Sequence, residues 1–555
     1  MVGIKANDST LSKFVEGTKQ FIIPLFQRTY SWEQDKIRIL WEDITNLYKE
    51  VGENPDATHF FGSFVTLQLP SMATSASKYM VIDGQQRLTT VFIFLAALRD
   101  RIKELDPNEK TKDEINDNYL TNKYYPNNKY KLVPTQADRT LFFNMIDNCM
   151  NTGYQNSMSV AYNSFKGELD SISDIKELNS LKSTVLNRFA VVDINLEKND
   201  DPYVIFESLN AKGEPLTQSD LIRNYLFMNI PEQQQEEIYT KVWLPMQEGL
   251  GDKLDPFIRY YLAREGTLPN KNKLYSTFKE KLGSRVEAVS NASDVLKELA
   301  RFSSYYAIFL NPQEEKIETI RSYLEKFIVL DTSTVYPLFL SLYEDYANKK
   351  LSENDFAGIL RLVEAYVVRR GVCRYPAKVF NRYFPSIYKS LDQDNIVFSL
   401  GKKLKSETGT AKCPNDEEFK ESLTNESRYL WNVSVKYILK GIEEYDNKEI
   451  VNFSTLQLEH IMPQTLTDEW KEQLGENWSN IYTDYLDILG NLTLTGYNQE
   501  YSNRAFIVKR DMQKGFKDSG LRLNKKLATL DSFGKQQILD RSKEMADMAL
   551  KVWAL

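Results

Sequence analysis

Val81-Ile82-Asp83-Gly84-Gln85-Gln86-Arg87-Leu88-Thr89-Thr90 carries the chain from an apolar strand into an apolar helix through a single Asp-Gly step. The strand reads from Lys78 to Ile82 and the helix from Gln85 to about Leu105. So direct an entry leaves the first N–H groups of the helix without intrahelical partners, and phosphate oxygens bind well there. Gly84 permits close backbone approach, and Arg87, one turn in, is set to pair with a phosphate. Gln85 and Gln86 suit orienting a water or holding a base, and Asp83 suits a Mg2+ ion or a ribose hydroxyl. An Asp-Gly pair alone is far more often a plain turn. Its neighbours have to decide.

Upstream, Phe21-Ile22-Ile23-Pro24 reads as a strand, and Ser31 opens a helix from Trp32 to about Glu50 with Gln34 completing a capping-box pattern. Gln27 and Arg28 stand just before it as a second set of donors. His59 to Leu69 is apolar and β-rich, with His59 itself read as a strand-edge residue. Downstream, Arg188 to Leu196 is a further strand. It is followed by Phe206-Glu207-Ser208-Leu209-Asn210-Ala211-Lys212-Gly213, where Gly213 suits a helix C-cap, and by a helix from Thr217 with Asp220 three residues on. From 231 to 450 the pattern changes to long amphipathic helices, such as Glu314 to Leu330, Phe356 to Arg370 and Tyr429 to Tyr445. Strands return at Leu456 to Met462 and Asn491 to Thr495, before a basic helical segment from Asn503. The fold class expected is an α+β multidomain chain with a long all-helical middle.

The chain has 555 residues, 42% hydrophobic and 26% charged, which implies an ordinary globular protein of several domains. No apolar stretch is long enough for a membrane span, and Met1-Val2-Gly3-Ile4-Lys5 lacks a signal-peptide core, so a cytoplasmic protein with no membrane partner is expected. Cys149, Cys373 and Cys413 are scattered, against a disulfide scaffold or a cysteine zinc site. No G-x-x-x-x-G-K-[ST] occurs, which excludes a P-loop. The net charge of −7 excludes a protein that coats nucleic acid along its whole surface. With only His59 and His460 present, any histidine chemistry runs through one of the two.

His460 lies in Leu458-Glu459-His460-Ile461-Met462-Pro463-Gln464. About thirty residues on comes Gly490-Asn491-Leu492-Thr493-Leu494-Thr495-Gly496-Tyr497-Asn498, then Ser502-Asn503-Arg504-Ala505-Phe506. Phosphodiester hydrolysis needs an activated water and neutralised phosphate charge. A neutral imidazole takes a proton from water at cellular pH. Strand alternation points Glu459 and His460 to opposite sides unless the strand twists. A lone histidine is usually structural; the three runs together favour catalysis. Residues 503–526 carry eight basic residues, Arg504, Lys509, Arg510, Lys514, Lys517, Arg522, Lys525 and Lys526, against Asp511 and Asp518. That is a phosphate-backbone footprint or a solvated helix face.

These runs resemble an HNH (ββα-metal) nuclease, and specifically the C-terminal domain of GmrSD-type, modification-dependent type IV restriction enzymes. The resemblance implies His460 as general base and Asn491 as the residue pinning the hairpin. It gives Glu459 and Asn498 as ligands of Mg2+ or Mn2+, with Asn503 the rival third position. Asn498 lies seven residues after Asn491 and Asn503 twelve, on either side of the usual spacing. The zinc-stapling cysteines of many HNH domains are absent, so packing alone is expected to hold the hairpin. Arg504, Lys509, Arg510 and Lys514 are the expected DNA contacts.

The N-terminal motifs, Ile23 to Trp32, Val81 to Thr90 and Phe206 to Asp220, resemble the ParB/sulfiredoxin-like NTPase domain of the same enzymes. Tyr366-Val367-Val368-Arg369-Arg370 resembles their helical segment. The resemblance implies a nucleoside triphosphate (GTP, ATP or another) at Asp83, Gly84, Gln85, Gln86, Arg87, Gln27, Arg28 and Asn210. Three domains follow: 1–230 nucleotide-binding, 231–420 helical scaffold and 421–555 nuclease. The function implied is NTP-dependent restriction of modified phage DNA, and a homodimer is compatible with it. An RNA-cutting abortive-infection toxin and a nucleotide-dependent sensor with an inactive HNH fold are the rivals.

Overall fold

The structure is a computed structural model that describes residues 5–25, 27–69, 75–149, 156–196, 217–288, 291–449 and 451–555. The chain divides into two compact units. One comprises residues 1–245 and 278–297, the other 246–277 and 298–555.

The first unit is built on a six-stranded mixed sheet: β1 (Lys5–Thr10), β2 (Lys19–Ile22), β3 (His59–Gln68), β4 (Ser77–Asp83), β5 (Leu132–Val133) and β6 (Phe189–Leu196). Their order across the sheet is β1-β6-β3-β4-β2-β5. β3 pairs with β6 in parallel and with β4 antiparallel, and β2 runs parallel to both β4 and β5. Strand alternation serves both faces. Phe64 and Val81 enter a large core, while their neighbours Val65 and Ile82 join Ile194, Leu196, Leu221 and Met228 in a smaller cluster.

The helix α1 (Gln85–Leu105) leaves β4 through Gly84 with the boundaries expected. Val91 to Leu98 is an unbroken buried run, so the helix is apolar nearly all round, as a helix inside a core must be. It packs on α2 (Ser157–Asp170) and on Ile175–Arg188. The helix Gln218–Met228 has the expected Thr217–Asp220 capping box. The Ser31–Gln34 box does not form. That helix starts at Gln34 with Glu33 at its N-cap, because the Ser31 N–H is taken by the Gln86 side chain at 2.9 Å. Gly213 and Asn210 lie outside the described residues.

In the second unit, α3 (Glu353–Val372) is exposed at its first turn and almost wholly buried from Ile359 to Val372. Arg369 and Arg370 are buried structural residues. Arg369 Nε donates to the Trp553 carbonyl at 2.8 Å, and Arg370 donates to the Lys412 and Pro376 carbonyls. The expected helix from Tyr429 to Tyr445 is broken: residues Arg428–Leu430 form a 3-10 turn, and α4 (Val435–Glu444) follows. A two-stranded hairpin pairs β7 (Gln457–His460) with β8 (Leu492–Thr495), placing His460 opposite Leu492 and Glu459 opposite Thr493. The basic segment after Asn503 is a string of short elements, including α5 (Phe506–Asp511). The chain closes with α6 (Lys535–Val552), which packs on the Leu489–Asn491 turn that leads into β8.

Candidate functional site

Buried polar bonds as well as packing hold the hairpin. Asn491, fully buried in the turn before β8, accepts from the Met462 N–H at 2.7 Å and donates to the Met462 and Leu486 carbonyls at 3.0 and 2.8 Å. It therefore fixes the end of β7, two residues beyond His460. Behind it, Arg541 donates to the Gly490 and Leu492 carbonyls at 3.0 and 2.7 Å. A Cβ on Gly490 would lie 1.9 Å from the Ile538 carbonyl oxygen of α6, so only glycine allows this approach.

His460 is mostly buried, and its Nε2 lies 3.0 Å from Oδ1 of Asp487. Asp487 lies outside the motif runs of the sequence, between Gln464 and Gly490. An ionised carboxylate only accepts, so this contact selects the Nε2–H tautomer and leaves the Nδ1 lone pair as the basic site. Burial holds the His460 pKa below its ordinary value, against the opposing pull of Asp487. The ring is thus neutral at pH 7. Arg428 approaches the same Asp487 oxygen with Nε at 3.3 Å and donates its backbone N–H to the Asp487 carbonyl at 3.0 Å. The result is a chain of contacts from His460 through Asp487 to Arg428.

Glu459 faces the other way, as alternation requires. Its Oε1 lies 2.6 Å from the Lys509 ammonium, which also donates to the His460 and Ile461 carbonyls at 3.1 and 3.2 Å. Both side chains are buried; burial raises the Glu459 pKa and lowers that of Lys509, each opposed by the other partner. Glu459 is thus committed to an internal ammonium, and the expected metal role does not fit its surroundings. Lys509, expected on the DNA face, is instead a cross-link between α5 and β7.

Of the other expected DNA contacts, Arg504 and Lys514 are exposed, whereas Arg510 is drawn onto Asp511, Asp531 and the Leu530 carbonyl. Asn498, the expected metal and catalytic position, is half-buried at the start of the short helix Asn498–Tyr501, which packs on β7. Asn503 is half-buried just beyond it. Among the described residues no three His, Cys, Asp or Glu side chains converge as a cation cluster. A divalent ion here would draw its donors from amide oxygens, water or a substrate phosphate as well as single carboxylates.

In the first unit, the segments around Gln27 and Asp83 come together. Gln27 Nε2 donates to the Val81 and Ile82 carbonyls at 2.8 and 3.1 Å, and Gln86 Nε2 donates to the Thr29 carbonyl at 3.1 Å. The Tyr30 N–H donates to Asp138 at 2.7 Å, and its hydroxyl lies 2.8 Å from that of Thr90. Gln27 and Gln86, expected to touch a nucleotide, are buried and spend their amides on locking this loop to the β4–α1 turn. Asp138 was not foreseen. Gly84 sits at φ +88°, and a Cβ there would meet Phe64 at 2.4 Å. Arg87 donates to the Ser63 carbonyl at 2.9 Å and lies 3.4 Å from Asp83. Arg28, next to Gln27 in the chain, and Gln85, next to Gly84, are half-buried. Gln27 Oε1, Ser31 Oγ and Gln85 Oε1 are buried atoms without a hydrogen-bond partner among the described residues.

His59 packs its ring at a tilt against Phe189 and lies 3.7 Å from Asp43. No helix of the described residues is long and apolar enough to cross a membrane.

Two protein families match the chain. The family described as GmrSD restriction endonuclease, N-terminal domain, matches residues 11–227. The family described as GmrSD restriction endonucleases, C-terminal domain, matches residues 413–548. Together the two spans cover more than half of the chain and contain both sets of motifs. No curated protein matches it.

Proposed function

The chain belongs to the GmrSD restriction endonuclease family, and from that premise we propose that it is an NTP-dependent endonuclease restricting modified phage DNA. In this reading β7, β8 and the short helix after them are an HNH-type nuclease site, and the ParB/sulfiredoxin-like N-terminal domain binds and hydrolyses a nucleoside triphosphate. The observation that carries it is the His460–Asp487 contact at the end of a hairpin pinned by Asn491.

Asp487 holds the imidazole with Nε2–H turned inward, so Nδ1 accepts a proton from a water. Burial keeps His460 neutral at pH 7, the state a base requires. Asn491 touches only backbone and acts by positioning the strand end. Mg2+ or Mn2+, when bound, supplies neutralisation of the phosphate and the leaving oxygen. The family resemblance gives Asn498 to such an ion, with Asn503 the alternative. Glu459 is not, because its carboxylate belongs to Lys509. Arg504 and Lys514 are the surface cations suited to the DNA backbone.

For the nucleotide, Gly84 and the first turn of α1 offer the phosphate site, with Arg28 and Gln85 beside it. The unpartnered oxygens of Gln27, Ser31 and Gln85 support a bound donor such as a base amine or an ordered water. Gln86 holds the Thr29–Ser31 loop, and Arg87 pairs with Asp83. An ungated nuclease endangers its host, so nucleotide turnover gates cleavage in this reading. Purified protein with Mg2+ or Mn2+ on modified and unmodified DNA, with each triphosphate, tests it. Selective cleavage that needs a triphosphate is expected. Equal cleavage with and without nucleotide removes the gating.

A further inference from the structure

Residues Arg428–Leu430 make a single 3-10 turn between the helices Asp416–Asn425 and α4. The turn is fastened to the candidate active site. Arg428 bonds to Asp487 through both its backbone N–H and its guanidinium, and Asp487 Oδ1 is the oxygen that holds His460. The other end of the guanidinium donates to the Tyr429 hydroxyl at 2.7 Å, and its central carbon Cζ lies 4.2 Å from the centre of the Tyr429 ring. The ring is thus fixed in place, yet it is 67% exposed, and Leu430 beside it is 48% exposed.

A tyrosine in a loop gains most by folding its ring onto neighbouring apolar surface. Here a stacked cation and a hydrogen bond hold the ring outward instead, two contacts away from the only histidine of the unit. We propose that Tyr429 is a stacking platform for a nucleobase flanking the phosphate on which His460 acts. The proposal rests on the nuclease reading. The occupant follows from the chemistry of the pair. A π-face backed by a guanidinium suits a base attached to an anionic backbone, and stacking tolerates any base sequence. The chain as a whole is acidic, so a strand of nucleic acid is drawn to such local sites and not to the general surface. A protein partner calls for a broader contiguous apolar patch than two adjacent residues.

The test is DNA binding by the full-length protein in EDTA, with the DNA checked for integrity, by fluorescence anisotropy. Oligonucleotides carrying 2-aminopurine add a direct report of stacking. Tyr429→Leu keeps apolar bulk without the π-face, while Tyr429→Phe and Tyr429→Trp keep the face; circular dichroism confirms that each is folded. Tyr429→Leu is expected to weaken binding about tenfold and abolish 2-aminopurine quenching, with Phe and Trp within about twofold of the parent. Parental binding by Tyr429→Leu overturns the proposal. So does an equal loss in Tyr429→Phe, which places the role in the hydroxyl, or lost phage protection with unchanged DNA binding, which assigns the surface to a protein partner. A chain that binds through Tyr429 but never cuts defeats the nuclease reading alone.

Discussion

Nε2 of His460 lies 3.0 Å from Oδ1 of Asp487, and that carboxylate is also the anchor of Arg428. The contact fixes the ring's tautomer as well as its orientation. Asp487→Ala and Asp487→Asn are therefore expected to lower the rate of DNA cleavage on the order of 10²–10⁴-fold. DNA affinity changes little in Asp487→Asn, whose side-chain oxygen still accepts from Arg428, and falls in Asp487→Ala, which frees the Arg428 guanidinium that holds Tyr429. Single-turnover kinetics beside a binding isotherm separate the two effects, and loss of affinity alone would remove Asp487 from the chemistry.

Burial depresses the His460 pKa in the folded protein. A base must be neutral, so cleavage is expected to hold from pH 8 downward and to fall only below the ordinary histidine value of about 6.5. The same shift acts on stability. The unfolded chain takes up the proton first, so stability is lost as pH falls through about 6.5 toward the lower folded pKa, below which the loss is complete. Urea unfolding of the protein and of His460→Phe between pH 8 and 5 checks the sign, the variant losing this component of the slope.

The Glu459–Lys509 pair is buried on both sides. Removing one partner leaves an uncompensated charge, and Glu459→Gln or Lys509→Met is expected to cost about 3–5 kcal/mol. Replacing both with apolar residues of similar volume is expected to recover most of that loss. Denaturant titration of the two single variants and the double variant measures the coupling. A single variant that unfolds like the parent would contradict the structural role given to the pair.

Two adjacent glutamines are expected to behave differently. Gln86 holds the Thr29–Ser31 loop, whereas Gln85 Oε1 has no partner among the described residues. Gln86→Ala is expected to destabilise the chain by about 1–3 kcal/mol through the buried groups it leaves unpaired. Gln85→Ala is expected to keep the parent's thermal midpoint and bind triphosphate more weakly. Calorimetric nucleotide titration alongside thermal unfolding distinguishes them.

Periodicity and caps made much of this architecture readable. The strand–Gly84–helix step is visible because an apolar run breaks once, at a residue free to take positive φ, and the α1 boundaries follow from it. The break of the Tyr429–Tyr445 helix was not visible. Its cause is tertiary: Arg428 and its backbone are pulled onto Asp487, a residue 59 positions away. Lys509 was hidden for a similar reason. A lysine in a basic run looks exposed until a buried Glu459 is placed opposite it. Asp487 carried one faint signal, its position just before the Ile-Leu-Gly-Asn turn that ends in Asn491. The basic segment looked like one phosphate-binding face because sequence counts charges without their partners. Arg510, Lys517 and Lys526 all lie against carboxylates.

The most direct test of the account is the single-turnover cleavage rate of modified DNA by the intact protein and by His460→Ala, with Mg2+ and the supporting triphosphate present. The parent is expected to cleave, and the rate to fall on the order of 10²–10⁴-fold in the variant, with DNA binding and triphosphate hydrolysis retained. Cleavage by His460→Ala at the parent's rate would contradict it.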